Sequence, residues 1–174
     1  PRAPGRLEKP RTVLFAWELG AGLGHIRPMA EIGAELGQSD VRPVYAVRDL
    51  SLARQILAES ATILQAPVWP SHRHFGSVSS LASYADVLAA VGFSDARKLD
   101  GVVRGWEDLI ALVRPDAIVL DHSPGLLIAL SGQGIPVVHI GSAFTMPPVG
   151  YERLPLLRGD QAPTIPEARL LEIV

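Results

Sequence analysis

His25 is the residue whose neighbours best equip it to handle a proton. It ends the run Gly20-Ala21-Gly22-Leu23-Gly24-His25, where glycines let the backbone pass close to a ligand at angles other residues avoid. The turn delivers His25 to the start of a helix. There the positive end of the helix dipole disfavours imidazolium and keeps a neutral ring available as a base. Asp121, in Val119-Leu120-Asp121-His122-Ser123, supplies the complementary group. A carboxylate beside a histidine holds one tautomer and stabilises the imidazolium formed when the ring takes a proton. Each residue alone has a plainer role open to it: His25 as a cap on a tight turn, Asp121 as a helix N-cap just ahead of its helix.

Other side chains suit binding more than proton transfer. Trp69, Phe75, Tyr84, Phe144 and Met146 fall in or beside loops and could form an apolar pocket for a lipophilic or phenolic molecule; local loop packing is the alternative. His122 is either a second polar wall of the same crevice or an exposed residue. His139 ends an apolar run and is expected to be partly buried with its hydrogen bonds satisfied. His72 and His74 could bind a metal only with a third ligand, which their loop does not offer. Gly22 and Gly24 would admit a ligand close to the backbone. A dinucleotide fingerprint fails on spacing, because His25 stands where its third glycine belongs, and no P-loop lysine follows. No cofactor and no metal site are expected.

The elements that must position these groups follow from periodicity. Val13 to Trp17 is a short apolar run, as in a strand buried on both faces. Ile26 to Leu36 reads as a helix with Pro28 in its first turn and Ile26, Met29, Ile32, Gly33 and Leu36 on one face. Strands are expected at Pro43 to Val47, Ala61 to Gln65, Ala117 to Leu120 and Pro136 to Ile140. Helices are expected from the Asp49 N-cap to Leu57, then at Leu81 to Val91, Ser94 to Val113 and Pro124 to Leu130. The Ser94 to Val113 segment is amphipathic, with Leu99, Val102, Val103, Trp106, Leu109, Ile110 and Val113 at helical spacing. Ala66 to Ser80 and Gly141 to Pro163 read as irregular.

Strands alternating with helices imply a doubly wound, Rossmann-like α/β domain with a parallel sheet. Right-handed crossovers favour the strand order 3-2-1-4-5. In that order the first and fourth strands are neighbours whose connections leave in opposite directions. Their carboxyl ends therefore open a ligand-binding crevice, with His25 and Asp121 on its two sides.

Composition narrows the classes. The chain has 174 residues, 48% hydrophobic, with a formal net charge of −2. That allows a real core and offers no basic field for nucleic acid. There is no cysteine, which removes disulfides, thiolate metal sites and cysteine nucleophiles and fits a cytoplasmic protein. No apolar run reaches the roughly 18 residues of a membrane-spanning helix. Residues 1–10 form a Pro/Arg-rich tail or remnant, and 11–174 form the domain. A first residue that is proline and a last segment that stops at a helix start suggest a piece of a longer protein.

The run Gly22-Leu23-Gly24-His25-Ile26-Arg27-Pro28, together with Pro115-Asp116-Ala117-Ile118-Val119-Leu120-Asp121 and Gly134-Ile135-Pro136-Val137-Val138, resembles the start of GT-B glycosyltransferases of the UDP-glycosyltransferase type. The resemblance covers most of Arg11 to Pro148. It implies the acceptor-binding half of an inverting glycosyltransferase, with His25 as general base and Asp121 as its support. Gly22, Gly24, Trp69, Phe75, His122, Phe144 and Met146 would face the acceptor. The nucleotide-sugar co-substrate would be held by a donor-binding domain whose Pro/His/Gly/Glu-rich motif does not occur here, so the chain alone should be inactive. Two alternatives stand beside this one. The first is a non-catalytic binding domain with the same sheet. The second is half of a GT-B sugar-nucleotide epimerase, for which Arg27 and Arg48 would be the charged residues but the apolar pocket is a poor match.

Overall fold

The structure is a computed structural model that describes residues 9–69, 81–142, 145, 156, 157, 159, 167 and 168. Among the described residues, ten elements follow one another along the chain, strands and helices in turn except that two helices separate the third and fourth strands. They are β1 (Arg11–Trp17), α1 (Leu23–Leu36), β2 (Val41–Val47), α2 (Leu50–Ile56), β3 (Thr62–Gln65), α3 (Tyr84–Val91), α4 (Ala96–Val113), β4 (Ala117–Asp121), α5 (Pro124–Ala129) and β5 (Val137–Ile140). The five strands form one parallel sheet in the order β3-β2-β1-β4-β5, the order the crossover rule anticipates.

Period-two alternation assigns each strand residue to a face. Leu14, Ala16, Val44, Ala46, Ile118 and Leu120 pack with α3, α4 and α5 on one side. Val13, Phe15, Trp17, Tyr45, Val47 and Val119 pack with α1 and α2 on the other. The register then sets the site: Trp17, the last residue of β1, lies opposite Val47 on one side and Asp121 on the other.

Several boundaries differ from the sequence reading, each for a local reason. Helix α1 begins at Leu23, not Ile26, with Gly22 as N-cap at φ 89°. The first turn of a helix needs no intrahelical donors, so Gly24 and Pro28 are both accommodated. Ile32 was expected on the inner face but is exposed. One residue is about 100° of helix, and the inner stripe runs through Ile26, Met29 and Gly33 instead. Gly33 touches β2 so closely that a Cβ there would overlap the Tyr45 hydroxyl. Helix α3 starts at Tyr84 because the Asp86 carboxylate accepts the N–H groups of Ala82 and Ser83, each at 3.0 Å, closing a capping box with Ser83. Helix α4 starts after Asp95, whose carboxylate accepts from Arg97 and Lys98.

One buried carboxylate ties these pieces together. Glu18 follows directly on β1 and is only 1% exposed. Its Oε1 accepts from Trp69 Nε1 at 2.7 Å and from the Gly125 amide at 3.1 Å. Its Oε2 accepts from Trp106 Nε1 at 2.8 Å and from the Leu126 amide at 3.1 Å. Helix α5 has no side-chain cap from its own N-cap residue, Ser123; Glu18 satisfies the free N–H groups of its first turn instead. Gly125 leaves the space this needs, since a Cβ would stand 2.8 Å from Glu18 Oε1. Burial pushes the Glu18 carboxyl up, and the four donors each pull the other way.

Replacing this group should be felt globally. Glu18→Ala leaves four buried donors without an acceptor and should cost on the order of 3–5 kcal/mol of unfolding free energy. Glu18→Gln keeps the shape but turns an N–H2 toward N–H donors, and should cost about 1–3 kcal/mol. Urea denaturation at pH 7 measures both, and a Gln variant as stable as the parent would contradict the role assigned to the carboxylate.

Candidate active site

The carboxyl ends of β1 and β4 carry the site. The chain leaves β1 through Glu18 and Leu19, turns at Gly20 with φ 89°, turns again at Gly22, and enters α1. His25 is the third residue of that helix, so its side chain swings back over the end of β1. A Cβ on Gly20 would overlap His25 Nε2; the imidazole lies directly on the Gly20 backbone, and no other residue fits there. On the β4 side, Asp121 is the last strand residue, not the N-cap of α5 that the sequence left open. Ser123 takes the N-cap position, and its hydroxyl donates to the carbonyls of Ala16 and Asp121. The Leu19 amide donates to the His122 carbonyl at 2.9 Å. These bonds lock the two strand ends at one separation.

At that separation His25 Nδ1 and Asp121 Oδ2 are 2.9 Å apart, although 96 positions separate them in sequence. The Asp121 side chain is 5% exposed and that of His25 21%. The carboxylate is sheltered while the ring remains reachable. With Asp121 accepting the Nδ1 proton, Nε2 carries the lone pair. The His25 ring also stacks on Trp17, centroids 5.2 Å apart and planes 20° apart. Gly141, at φ 127°, clears the far side of the carboxylate, since a Cβ would come within 2.6 Å of Asp121 Oδ1.

Two more histidines lie close by. The His122 ring is 6.0 Å from His25 and 5.9 Å from Tyr84. It is 7% exposed, its backbone is left-handed at φ 44°, and its Nε2 is buried with no hydrogen-bond partner among the described residues. His139, opposite Leu120 in the β4–β5 register, is half-buried. Among the described residues its Nε2 has no hydrogen-bond partner, where the sequence reading expects a satisfied ring. Burial lowers both rings; His122 falls to about 4, with His25 adding to the effect and Asp121 opposing it. Among the described residues, no group of three or more His, Cys, Asp or Glu is placed to hold a metal ion.

The remaining sequence candidates divide. Gly22 and Gly24 stand at the start of α1, with nothing among the described residues within 4 Å of where a Cβ would be. Trp69, read as a wall of the pocket, is a core residue: it is buried, stacks on Phe93 at 4.6 Å and donates its indole N–H to Glu18. Phe75, Phe144 and Met146, with His72 and His74, lie outside the described residues. Glu18 escaped the sequence reading altogether. Its signal was present as a lone carboxylate closing an apolar strand, in a chain with two more tryptophans whose indole N–H groups would need buried acceptors.

The neutral state of His122 should make stability depend on pH. Its folded value lies below the ordinary 6.5, so the stability it contributes is complete above 6.5 and is lost as pH falls toward about 4. The unfolding free energy should therefore drop between pH 7 and 4.5. In His122→Asn, whose side chain tolerates the left-handed backbone, that drop should be smaller by about 2 kcal/mol. Equal slopes for the two proteins in urea titrations would rule this out.

Comparison with known proteins bears on the fold. No family model matches the sequence, and no curated protein matches it. Among solved structures, MurG from Acinetobacter baumannii superposes with a TM-score of 0.52 at 19% identity, over 75% of this chain and 34% of that one. UGT2 from Phytolacca americana, solved with UDP-2fluoro-glucose and pterostilbene, superposes with a TM-score of 0.50 at 13% identity, over 79% of this chain and 32% of that one. The chain thus spans about a third of the length of these structures. Both are GT-B glycosyltransferases, and this chain has the Rossmann-like α/β fold of a domain of that architecture.

Proposed function

We propose that this chain is the acceptor-binding part of an inverting glycosyltransferase, with His25 as general base and Asp121 as the residue that orients it. The 2.9 Å pair between His25 Nδ1 and Asp121 Oδ2 at the β1–β4 switch point carries the reading. The position agrees with the rule that ligands of doubly wound sheets collect at that crevice. UGT2, of similar fold, was solved with a nucleotide-sugar analogue and pterostilbene. The donor here is a nucleotide-sugar held by a further domain, and the acceptor is a hydroxylated, lipophilic molecule.

The proton path follows from the tautomer. Asp121 accepts the Nδ1 proton, so Nε2 takes the proton of the acceptor hydroxyl as its oxygen attacks the anomeric carbon. The new C–O bond forms as the bond to the diphosphate breaks. The electron pair leaves with the nucleoside diphosphate, and the anomeric centre inverts. The imidazolium formed at His25 faces the Asp121 carboxylate, which lowers the energy of the charged state.

The test measures nucleoside-diphosphate release by the natural full-length chain containing this segment, with panels of sugar donors and hydroxylated acceptors. His25→Ala should reduce acceptor-dependent release by at least about a hundredfold. Asp121→Asn, which can stabilise the wrong tautomer, should reduce it by at least about tenfold. Release that survives His25→Ala would keep a transferase and remove this mechanism. No release with any donor would favour a non-catalytic binding domain.

A further inference from the structure

Helix α4 carries two interior glycines, Gly101 and Gly105, four residues apart on one face. Glycine inside a helix costs roughly 0.5–1 kcal/mol relative to alanine, so each needs a reason. Gly105 has one: a Cβ would stand 3.0 Å from Pro67 Cγ, and its absence lets the segment after β3 lie on the helix. At Gly101, nothing among the described residues lies within 4 Å of where a Cβ would be. The space it leaves belongs to a groove of about 430 Å³ between α4 and the segment after β3, lined by Pro67, Val68, Arg97, Lys98, Gly101 and Val102.

The lining has a polarity. Pro67, Val68 and Val102 make an apolar floor, and Val68 is 66% exposed. Arg97 and Lys98 stand one helical turn before Gly101 and Val102, so both cations sit at one end. The Lys98 stem lies beside Gly92, and its ammonium is 3.9 Å from Asp95. The Arg97 guanidinium has no hydrogen-bond or ion-pair partner among the described residues. A guanidinium offers a planar fork that matches a carboxylate or phosphate in two parallel bonds. The groove lies on the face of the sheet that α3, α4 and α5 cover. The segment after β3 and the N-terminal half of α4 are both at its carboxyl edge, as are His25 and Asp121. Val102 reaches from the groove floor to Gly125 at the Glu18 cluster.

We infer that this groove binds an apolar acid, its hydrocarbon body on Pro67, Val68, Gly101 and Val102 and its anionic group on Arg97. Resting on the acceptor reading above, this acid is the distal part of the acceptor, so the natural acceptor carries an anionic group away from the hydroxyl that reacts. Lys98 adds a second positive charge at the same end.

Octanoate and octanamide share a body and differ in charge, so they separate the two contributions. In amide-proton NMR titrations of the 174-residue chain at neutral pH, octanoate should shift Gly101 and Val102 saturably and bind at least about tenfold more tightly than octanamide. Arg97→Gln should bring octanoate to the level of octanamide. Gly101→Leu should abolish binding of both while keeping or raising Tm, because leucine is the better helix former; the loss is then not unfolding. Equal binding of the two probes, binding that survives Gly101→Leu, or no saturable shift would each overturn the inference. Any of these together with His25-dependent transfer would leave the transferase reading standing.

Discussion

The pairing of β1 with β4 is the constraint on which the rest depends. Two strands that are distant in sequence must lie side by side for a histidine after one and an aspartate at the end of the other to meet. Backbone ladder bonds alone would allow this pairing to slip, and in a sheet a one-residue slip turns every side chain to the other face. Here the strand ends are pinned beyond the ladder. The Ser123 hydroxyl bonds across to Ala16, the Leu19 amide to the His122 carbonyl, and Glu18 to the first turn of α5. The 2.9 Å contact between His25 and Asp121 is a consequence of these locks.

Glu18 and Asp121 show how one sheet edge uses two carboxylates differently. Glu18 faces the α3–α5 side, where two indoles and two backbone amides saturate it, leaving no lone pair for chemistry. Asp121 faces the crevice, and its described partner is a ring that remains partly exposed. A fully satisfied buried carboxylate holds a structure rigid, while one committed to a single titratable ring can follow a change in that ring's charge. The same division separates the histidines. Among the described residues, His25 is the histidine that touches the carboxylate; His122 is buried and His139 half-buried, each with an Nε2 that has no described partner, and burial lowers the pKa of both.

Glycine placement records where the fold needs empty space. Gly20 makes room for the His25 ring, Gly125 for the Glu18 carboxylate and Gly33 for the Tyr45 hydroxyl. In each case a methyl group would strike a functional or buried polar atom. Gly101 differs because its empty space faces a groove.

Much of this was legible in one dimension. Apolar runs alternating with helical periodicity determined the parallel sheet, and chirality of the crossovers determined its strand order. That order by itself puts His25 and Asp121 on opposite sides of one crevice. The Asp49 cap was equally visible, because its signal is local. What tertiary structure alone decided were the groups whose partners are remote. Glu18 meets residues 51, 88, 107 and 108 positions away, and no spacing rule links them. Trp69 looked like a pocket wall until the acceptor of its N–H was known, and Ile32 looked inward until packing chose the face centred on Gly33. Periodicity says which residues share a side of an element; only the packed chain says which partner that side meets, because burial and hydrogen bonding are properties of contacts between distant segments.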